Sequence, residues 1–129
     1  MLMMLDLASE VPIYQQIYTQ VEQAIASGQL QEGEQLPPVR QLAVDIGVNM
    51  HTVHKAYNLL KQDGYITLNR RRGAVVAKSQ QITQEDLDHI QMTIGIAAAR
   101  ALAKKLPRED FIQLCGRIYN QIEEGTFHE

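Results

Sequence analysis

The sequence lacks the features of a disulfide-rich or membrane-spanning protein. It has one cysteine, Cys115, so no disulfide can form within the chain, and this composition suits a reducing compartment. The longest apolar stretch, residues 94–99, is interrupted by Gly95 and is far too short to cross a bilayer. The N-terminal residues show neither a basic leader nor a small-residue cleavage site, so we expect no signal peptide. The expected location is the cytoplasm, without a membrane partner.

The patterns that mark enzymes and metal sites are also missing. The sequence contains no glycine-rich phosphate loop, no carboxylate pair in a plausible cleft and no nucleophile beside a base. His51 and His54 are close in sequence, but no cysteine or third histidine lies near them, which disfavours a metal site. The sequence therefore predicts a protein that is not an enzyme, with no catalytic residue, no metal and no cofactor.

A basic excess is missing as well, since the net charge is -3 at pH 7. Taken alone, this value argues against nucleic acid binding, because phosphate binding requires a basic surface. The charges are unevenly distributed, however. The segment from Gln35 to Lys78 holds seven of the 12 lysines and arginines but only two of the 15 acidic residues. A basic middle segment between acidic ends is typical of a localised phosphate-binding face.

Three helices are predicted in the first half of the chain. The first begins with Pro12 at its first position and stops at Gly28. Pro37 and Pro38 open a short second helix. The apolar residues recur at helical spacing and predict the inward faces: Ile13, Ile17, Val21, Ala24 and Ile25 in the first helix, Val39, Leu42, Ala43 and Ile46 in the second, and Val53, Ala56, Tyr57 and Leu60 in the third.

The second and third helices are joined by a very short turn. Gly47 ends the second helix, and Asn49 is a suitable N-cap for the third, since its side-chain oxygen can accept a free backbone N–H. Gly64 closes the third helix. Two helices connected by such a tight glycine-containing turn are the helix-turn-helix pattern.

A β-hairpin is predicted after the third helix. Residues 65–68 alternate and favour a strand, residues 69–72 form a polar loop, and residues 74–77 favour a second strand. Gly73 supplies backbone freedom between the loop and the second strand. Three helices followed by a hairpin with a basic tip make a winged helix-turn-helix.

Two further helices are predicted after a polar linker at residues 79–82. Thr83 and Asp86 resemble a capping box at the start of the first, which runs to about Lys105. After Pro107, the last helix spans about residues 109–123. Both carry apolar faces that need a cover, formed by Leu87, Ile90, Ile94, Ala98, Ala101 and Leu102 in the first and by Phe111, Leu114, Cys115, Ile118 and Ile122 in the second. The default expectation for Cys115 on such a face is a buried, inert thiol.

Several stretches of the first half form a recognisable combination. They are Pro12-Ile13-Tyr14-Gln15-Gln16-Ile17, Gly28-Gln29-Leu30 with Gly33, Leu36-Pro37-Pro38-Val39-Arg40-Gln41-Leu42-Ala43, Val48-Asn49, Thr52-Val53, Lys55-Ala56-Tyr57 and Gly64. Together they resemble the GntR family of bacterial transcription regulators. The Asn49, Thr52, Lys55 and Tyr57 pattern looks most like its YtrA subfamily. The resemblance extends from residue 12 to about residue 77.

The resemblance implies a winged helix-turn-helix, a homodimer and a double-stranded DNA operator. The predicted fold is thus mainly α with a small β-hairpin, in which residues 1–78 form the DNA-binding domain and residues 79–129 form a two-helix dimerisation region. About fifty residues after Lys78 are too few for the aminotransferase-like domain of one branch of the family. They also disfavour a closed cavity for a small-molecule effector, because two helices cannot wall a pocket of ordinary volume.

Two departures from the family pattern affect the expected DNA contacts. The family commonly has Gly-Arg-Gly in the wing, where this sequence has Arg71, Arg72 and Gly73, so one glycine is replaced by a charge. The family commonly has Pro and Asn where this chain has Met50 and His51. Because these two positions belong to the recognition helix, an operator different from the usual one is expected.

The helical DNA contacts are predicted at six positions. The resemblance implies that Arg40 contacts DNA, although a surface pair with Asp45 is an alternative. Thr52 lies near a helix N-terminus, where it can donate to a phosphate, although a purely structural role is an alternative. Asn49 is expected chiefly to cap. The exposed first turns of the third helix are where helix-turn-helix proteins place base-reading side chains, here His51, His54 and Lys55, of which His54 suits a base edge and Lys55 a phosphate.

The wing supplies the other predicted contacts. Arg70, Arg71 and Arg72 with Gly73 lie at the hairpin tip, where arginines reach a phosphate or the minor groove. A run of charges on a solvated face is the alternative interpretation.

The sequence therefore predicts a dimeric DNA-binding regulator. Repression, and control of transporter genes, are implied by the resemblance alone. Two alternatives remain open. One is a winged helix that binds protein, with the acidic C-terminal helices as the docking surface. The other is a DNA-binding regulator that takes a small effector at the dimer interface.

Overall fold

The computed structural model describes residues 3–127, and the chain divides into two compact units, Met1–Ser79 and Gln80–Glu129. The roles predicted for residues 1–78 and 79–129 stay predictions, and residues 1, 2, 128 and 129 of those regions lie outside the described part.

Three helices form the body of the first unit: α1 (Ile13–Ala26), α2 (Val39–Ile46) and α3 (Met50–Gln62). Prolines stand directly before α1 and α2, and both Pro12 and Pro38 have extended backbone with ψ 147°. The sequence had predicted Pro12 as the first residue of the helix. In the structure, Pro12 is instead the residue directly before it. A residue without an N–H suits either position, because the first N–H groups of a helix have no partner within it.

The turn between α2 and α3 depends on Gly47. This residue has the left-handed backbone conformation, with φ 71°, which glycine adopts without the clash that a Cβ would cause. Its N–H donates to the Val44 carbonyl oxygen (3.3 Å), and the N–H of Val48 donates to the Ala43 carbonyl oxygen (3.0 Å). The last carbonyls of α2 are thereby satisfied, as in glycine-terminated helices generally, and α3 starts three residues after Gly47.

The apolar faces of these helices meet in one core. Its buried members are Ile17, Val21 and Ala24 of α1, Leu42 and Ala43 of α2, Val53, Ala56, Tyr57 and Leu60 of α3, and Leu30, Leu36, Ile66, Ala74 and Val76 around them. The predicted inward face of α3 is confirmed completely. Four of the residues predicted to face inward on α1 and α2 are only partly buried at the edge of the core: Ile13, Ile25, Val39 and Ile46.

Tyr57 combines burial with a satisfied polar end. Its side chain is 1% exposed, and its hydroxyl donates to the carbonyl oxygen of Pro37 at 2.6 Å. This bond ties the start of α2 to α3. Burial disfavours the charged phenolate and raises the pKa of Tyr57 well above its ordinary value.

The wing is an antiparallel pair, β1 (Ile66–Asn69) and β2 (Gly73–Val76), with Ile66 opposite Val76 and Asn69 opposite Gly73. The sequence had predicted each strand one residue off, at 65–68 and 74–77. The reason is the side chain of Asn69, whose Oδ1 accepts the N–H groups of Arg71 (2.8 Å) and Arg72 (3.4 Å). This side-chain turn confines the loop to residues 70–72.

The segment between α1 and α2 also pairs with the wing, although the sequence predicted only a connecting turn there. Leu36 N–H donates to the carbonyl oxygen of Ala74 (2.8 Å), and Val76 N–H donates to that of Glu34 (2.9 Å). Gly33 N–H donates to the carbonyl oxygen of Val76 (2.9 Å). β2 is thus hydrogen-bonded on both of its edges, which fixes the wing against the helical body.

A tyrosine pair joins α1 to the far end of α3 and the start of the wing. The hydroxyl of Tyr18 donates to the carboxylate of Asp63, and that of Tyr65 donates to Glu22 Oε2 at 2.5 Å. The two rings meet edge to face with centroids 6.1 Å apart. Burial, and then the hydrogen bond to Asp63, raise the pKa of Tyr18 above its ordinary value.

The second unit contains α4 (Gln84–Ala103) and α5 (Arg108–Glu124). The predicted capping box is confirmed, because Thr83 Oγ1 accepts the N–H of Asp86 (3.1 Å) while Asp86 Oδ2 accepts that of Thr83 (2.9 Å). The hydrogen bond that the carboxylate of Asp86 accepts from the Thr83 backbone N–H, and next its interaction with the Thr83 side chain, lower the pKa of Asp86. Lys105, just past the end of α4, has φ 64°.

The apolar residues of α4 and α5 are not buried in the single chain. Their exposed fractions reach 52% at Ile94 and 80% at Leu102. Cys115 is exposed too, so the expectation of a buried thiol is wrong for this chain. The physical reason is that two helices enclose too little volume to bury their own apolar faces.

Candidate nucleic-acid interface

The start of α3 is built as predicted. Asn49 has extended backbone, and its Oδ1 accepts the N–H of His51 at 2.7 Å. This bond satisfies one of the free N–H groups at the helix N-terminus, and alanine there typically costs about 1 kcal/mol. Asn49 is therefore an N-cap, and its exposed position leaves the predicted DNA contact as an additional proposal.

Four of the ten residues predicted to contact DNA lie on α3. His51, His54 and Lys55 are exposed and Thr52 is partly buried, while the opposite face of the helix lies in the core. His51 and Lys55 are four residues apart, and Thr52 and Lys55 are three apart, so all three share one side of the helix. The fold thus presents these side chains together to solvent.

Lys55 has an aromatic partner that the sequence analysis missed. Its ammonium nitrogen lies 3.9 Å from the centroid of the Tyr14 ring on α1, well within the range of a cation–π interaction. Tyr14 belongs to the family-like segment at the start of α1, but nothing in the sequence pairs two residues that stand 41 positions apart. Only the packing of α1 on α3 brings them together.

His54 also has a neighbour that was not predicted. Its Nδ1 lies 3.1 Å from Nδ2 of Asn58, one helical turn further along α3. When Nδ1 accepts this hydrogen bond, Nε2 carries the ring proton and is a donor. The four-residue spacing of His54 and Asn58 is the signal that identifies such a pair on a helix.

Arg40 lies at the start of α2 and is exposed. The carboxylate of Asp45, its alternative partner, accepts a hydrogen bond from Gln41 Nε2 at 2.7 Å. The position of Arg40 therefore agrees with a side chain that faces solvent, and its contact with DNA stays a proposal.

The three wing arginines are exposed but differ in their surroundings. The Arg72 guanidinium donates to the carbonyl oxygen of Gly33 (2.9 Å), and the Arg72 carbonyl oxygen accepts from Gln35 Nε2 (2.6 Å). Arg72 therefore fastens the tip to the segment before α2. Arg70 and Arg71 lie in the loop itself and present their charge to solvent.

Gly73 begins β2 directly after this loop. It has φ 70°, and no atom lies within 4 Å of where a Cβ would stand. The constraint at this position is therefore the backbone conformation and not space. The predicted role of Gly73 as a source of backbone freedom agrees with this geometry.

An open groove of about 370 Å³ connects α3 with the wing. His54 lines it from α3 and Arg70 and Gly73 line it from the wing, while Val39 and Leu68 supply apolar surface. Arg40, His51, Thr52 and Lys55 do not line this groove. Three of the predicted contacts, His54, Arg70 and Gly73, therefore meet at the groove. The side of α3 with His51, Thr52 and Lys55 lies outside it.

Two further findings concern metal-ligating side chains and long apolar helices in residues 3–127. No group of three or more His, Cys, Asp and Glu side chains in this range is placed to hold a metal ion. Every helix in the same range is too short or too polar to traverse a bilayer.

Sequence comparison connects this face to known regulators. A family model described as "Bacterial regulatory proteins, gntR family" matches residues 13–76. The HTH-type transcriptional repressor YtrA of Bacillus subtilis (strain 168) is 38% identical over 79 residues, which cover 61% of each protein. The chain spans 61% of the length of that relative, and 20% and 23% of two further curated regulators.

Solved structures give the same answer for the fold. The transcriptional antiterminator from Listeria monocytogenes EGD-e superposes with a TM-score of 0.91 at 25% identity, over 100% of this chain and 98% of that one. YtrA from Sulfolobus acidocaldarius, a GntR-family transcription factor, has a TM-score of 0.63 at 39% identity, over 78% and 97%. The AraR DNA-binding domain in complex with operator ORX1 has a TM-score of 0.51 at 26% identity, over 57% and 92%.

These matches and the geometry define a winged helix-turn-helix protein of the transcription-regulator class. The predicted fold class is confirmed. The chain belongs to the GntR family of DNA-binding bacterial regulatory proteins, with YtrA proteins among its relatives.

Proposed function

We propose that this chain binds a specific DNA operator as a homodimer and represses transcription. The observation that carries the proposal is the grouping of exposed His51, His54 and Lys55 on one helix beside the arginine-rich wing. A helix of this kind reads base edges in the major groove, and an adjacent basic loop contacts phosphates or the minor groove. The similar AraR DNA-binding domain was solved in complex with an operator, which supports the proposal that this chain binds one.

The roles of the individual residues follow from their positions. Arg40, Thr52 and Lys55 are proposed to contact phosphates, and His51 and His54 to face base edges. Arg70 and Arg71 reach the neighbouring backbone or minor groove, while Arg72, with Gly73, holds the shape of the wing. Asn49 caps α3 and lies close enough to its first turn to contact DNA as well.

The dimer is proposed from the second unit. None of the apolar residues of α4 and α5 is buried in the single chain, and Ile90, Ile94 and Leu102 are exposed. Helices with such faces are stabilised by packing on other helices. Two-fold symmetry then requires a pseudo-palindromic operator with half-sites about one helical turn apart.

The operator lies in the cytoplasm, where the protein acts, and no effector site is part of the proposal. Repression is suggested by the name of the YtrA relative, and transporter genes are the proposed targets on the family resemblance alone.

The experiment is a binding titration of the purified full chain with the DNA upstream of its own gene, followed by fluorescence anisotropy over a salt series. Saturable binding that survives competitor DNA and weakens steeply with salt supports the proposal. Weak binding that is equal for every duplex contradicts sequence specificity. No binding at low salt favours the alternative in which the winged helix docks a protein. Transcription assays with and without the chain then test repression.

A further inference from the structure

We propose that Tyr14 is a positioning residue that holds the Lys55 ammonium ready for a DNA phosphate. The inference deepens the proposed function and rests on it. Its basis is the contact between α1 and α3, in which the Lys55 nitrogen lies 3.9 Å from the ring centroid. Tyr14 itself would not need to touch DNA for this role.

The Tyr14 ring is a firm support for a flexible side chain. Tyr14 is partly buried and packs against the core of the first unit, so its ring is held by α1 and its neighbours. Lysine has a long stem with several rotatable bonds, and it loses much rotamer freedom when a partner fixes it. Because the ring already restricts Lys55 in the free protein, less of that loss remains for the moment when DNA binds.

The kind of partner matters as much as its position. A carboxylate beside Lys55 would neutralise the ammonium and compete with a phosphate. An aromatic face attracts the cation through its quadrupole and leaves the full positive charge in place. Lys55 is exposed, so the side of the ammonium away from the ring remains open to an anion.

Lys55 is also placed where such a charge is useful. It shares one side of α3 with His51 and Thr52, which belong to the first turns of the proposed recognition helix. A phosphate held by Lys55 would therefore fix how α3 lies relative to the bases that His51 and His54 face. Positioning contacts of this kind set the register of a protein on the duplex.

The test compares Tyr14→Leu, which removes the ring and keeps apolar bulk, with Tyr14→Phe, which keeps the ring and removes the hydroxyl. Each is made in the wild-type chain and in Lys55→Met. Operator affinity is measured by anisotropy, and thermal unfolding confirms that the variants are folded. Ring-current shifts of the Lys55 methylene protons report the contact in the free protein.

The expected result is a loss of affinity that needs both partners. The gain from holding Lys55 in place is limited by the strength of the contact, which corresponds to at most about two- to fivefold in affinity, or about four- to 25-fold for a dimer with two such contacts. Tyr14→Leu should show this loss and abolish the upfield shift of Lys55, while Tyr14→Phe should stay within about twofold of the wild type. In the Lys55→Met background, Tyr14→Leu should have almost no further effect.

Three results would overturn the inference alone. They are unchanged affinity in Tyr14→Leu, an equal loss in Tyr14→Phe, which would indicate that the hydroxyl contacts DNA directly, and an undiminished effect of Tyr14→Leu in the Lys55→Met background. A wild-type chain that binds no duplex overturns the proposed function instead, and this inference with it.

Discussion

At the scale of single residues, the buried hydroxyl of Tyr57 connects two elements and makes the stability of the fold depend on pH. Tyr57 lies under the start of α2 with its hydroxyl on the Pro37 carbonyl oxygen. Its phenol is protected from water and its pKa is raised by burial. In the unfolded chain this phenol has its ordinary pKa, about 10. The free energy of unfolding therefore depends on pH in the alkaline range.

The sign of this linkage gives the first prediction. Below pH 10 the phenol is protonated in both states and has no effect, but above pH 10 the unfolded chain releases the proton while the folded chain retains it. The free energy of unfolding should therefore fall, by about 1.4 kcal/mol from this group between pH 9 and pH 11. Tyr57→Phe has no such proton, although it loses a hydrogen bond worth about 1 kcal/mol at neutral pH.

Urea unfolding at pH 9 and pH 11 checks this prediction. The wild type should lose more stability than Tyr57→Phe over that interval, so that its higher free energy of unfolding at pH 9 is no longer present at pH 11. Lysine deprotonation affects both equally and cancels in the comparison. Parallel pH profiles would show that Tyr57 is not linked to folding in this range.

Lys105 is the one non-glycine residue with positive φ among the described residues, at 64°. It follows α4, and its N–H donates to the Leu102 carbonyl oxygen (3.1 Å). The N–H of the next residue, Leu106, donates to the Ala101 carbonyl oxygen (2.9 Å). This is the bonding pattern of a helix end that glycine usually occupies. A side chain there costs roughly 1 kcal/mol, because Cβ approaches the following carbonyl oxygen.

The second prediction is that Lys105→Gly stabilises the protein by about 1 kcal/mol. Lys105→Ala is the matched control, since it removes the same charge but keeps the Cβ, and it should give no gain. Both are measured by thermal unfolding at one protein concentration. An equal rise in Tm for the two variants would attribute the effect to charge and not to backbone conformation.

At the scale of elements, the wing is a loop fixed by its neighbours. Asn69 shapes the turn, Arg72 fastens it to Gly33, and β2 pairs on both edges. Arg70 and Arg71 are therefore presented by a loop whose backbone is held independently of their side chains. Their removal should affect DNA binding without affecting the fold.

The third prediction separates these roles. The double variant Arg70→Ala with Arg71→Ala should weaken operator binding and leave Tm unchanged. The slope of log binding constant against log salt concentration should fall by about one for each phosphate that the wing no longer binds. Arg72→Ala should instead lower the free energy of unfolding by about 1 kcal/mol, because it removes an exposed charge-assisted hydrogen bond. Anisotropy salt series and urea unfolding measure the two effects. Equal behaviour of all three arginines would contradict this division.

Local features of the elements could be predicted from the sequence, and contacts between distant elements could not. The Asn49 cap, the inward face of α3 and the capping box at Thr83 were predictable, because each depends on residues within a few positions of one another. The pairing of Gly33 and Leu36 with the wing was not, and neither was the contact of Tyr14 with Lys55. These contacts depend on how distant segments pack, which periodicity and local chemistry do not encode.

At the scale of the whole molecule, the exposure of α4 offers a test of the proposed dimer within one helix. Ile94 lies on the predicted apolar face, with Ile90 and Ala98 four residues to either side of it, and is 52% exposed. Ile96 is also an isoleucine, is 66% exposed, and stands about half a turn away from that face. Neither is buried within the single chain, so an aspartate at either position should leave the chain itself folded.

The fourth prediction is that Ile94→Asp converts a dimer into a monomer while Ile96→Asp does not. A charge buried in a helix interface without a partner is strongly unfavourable, whereas the same charge on the solvent side is tolerated. Sedimentation equilibrium measures the oligomeric state. Operator affinity should fall by about a hundredfold or more in Ile94→Asp, because each monomer then binds its half-site without the other. Dissociation by Ile96→Asp alone would move the interface to the opposite face of α4, and a monomeric wild type would remove the two-fold argument for a palindromic operator.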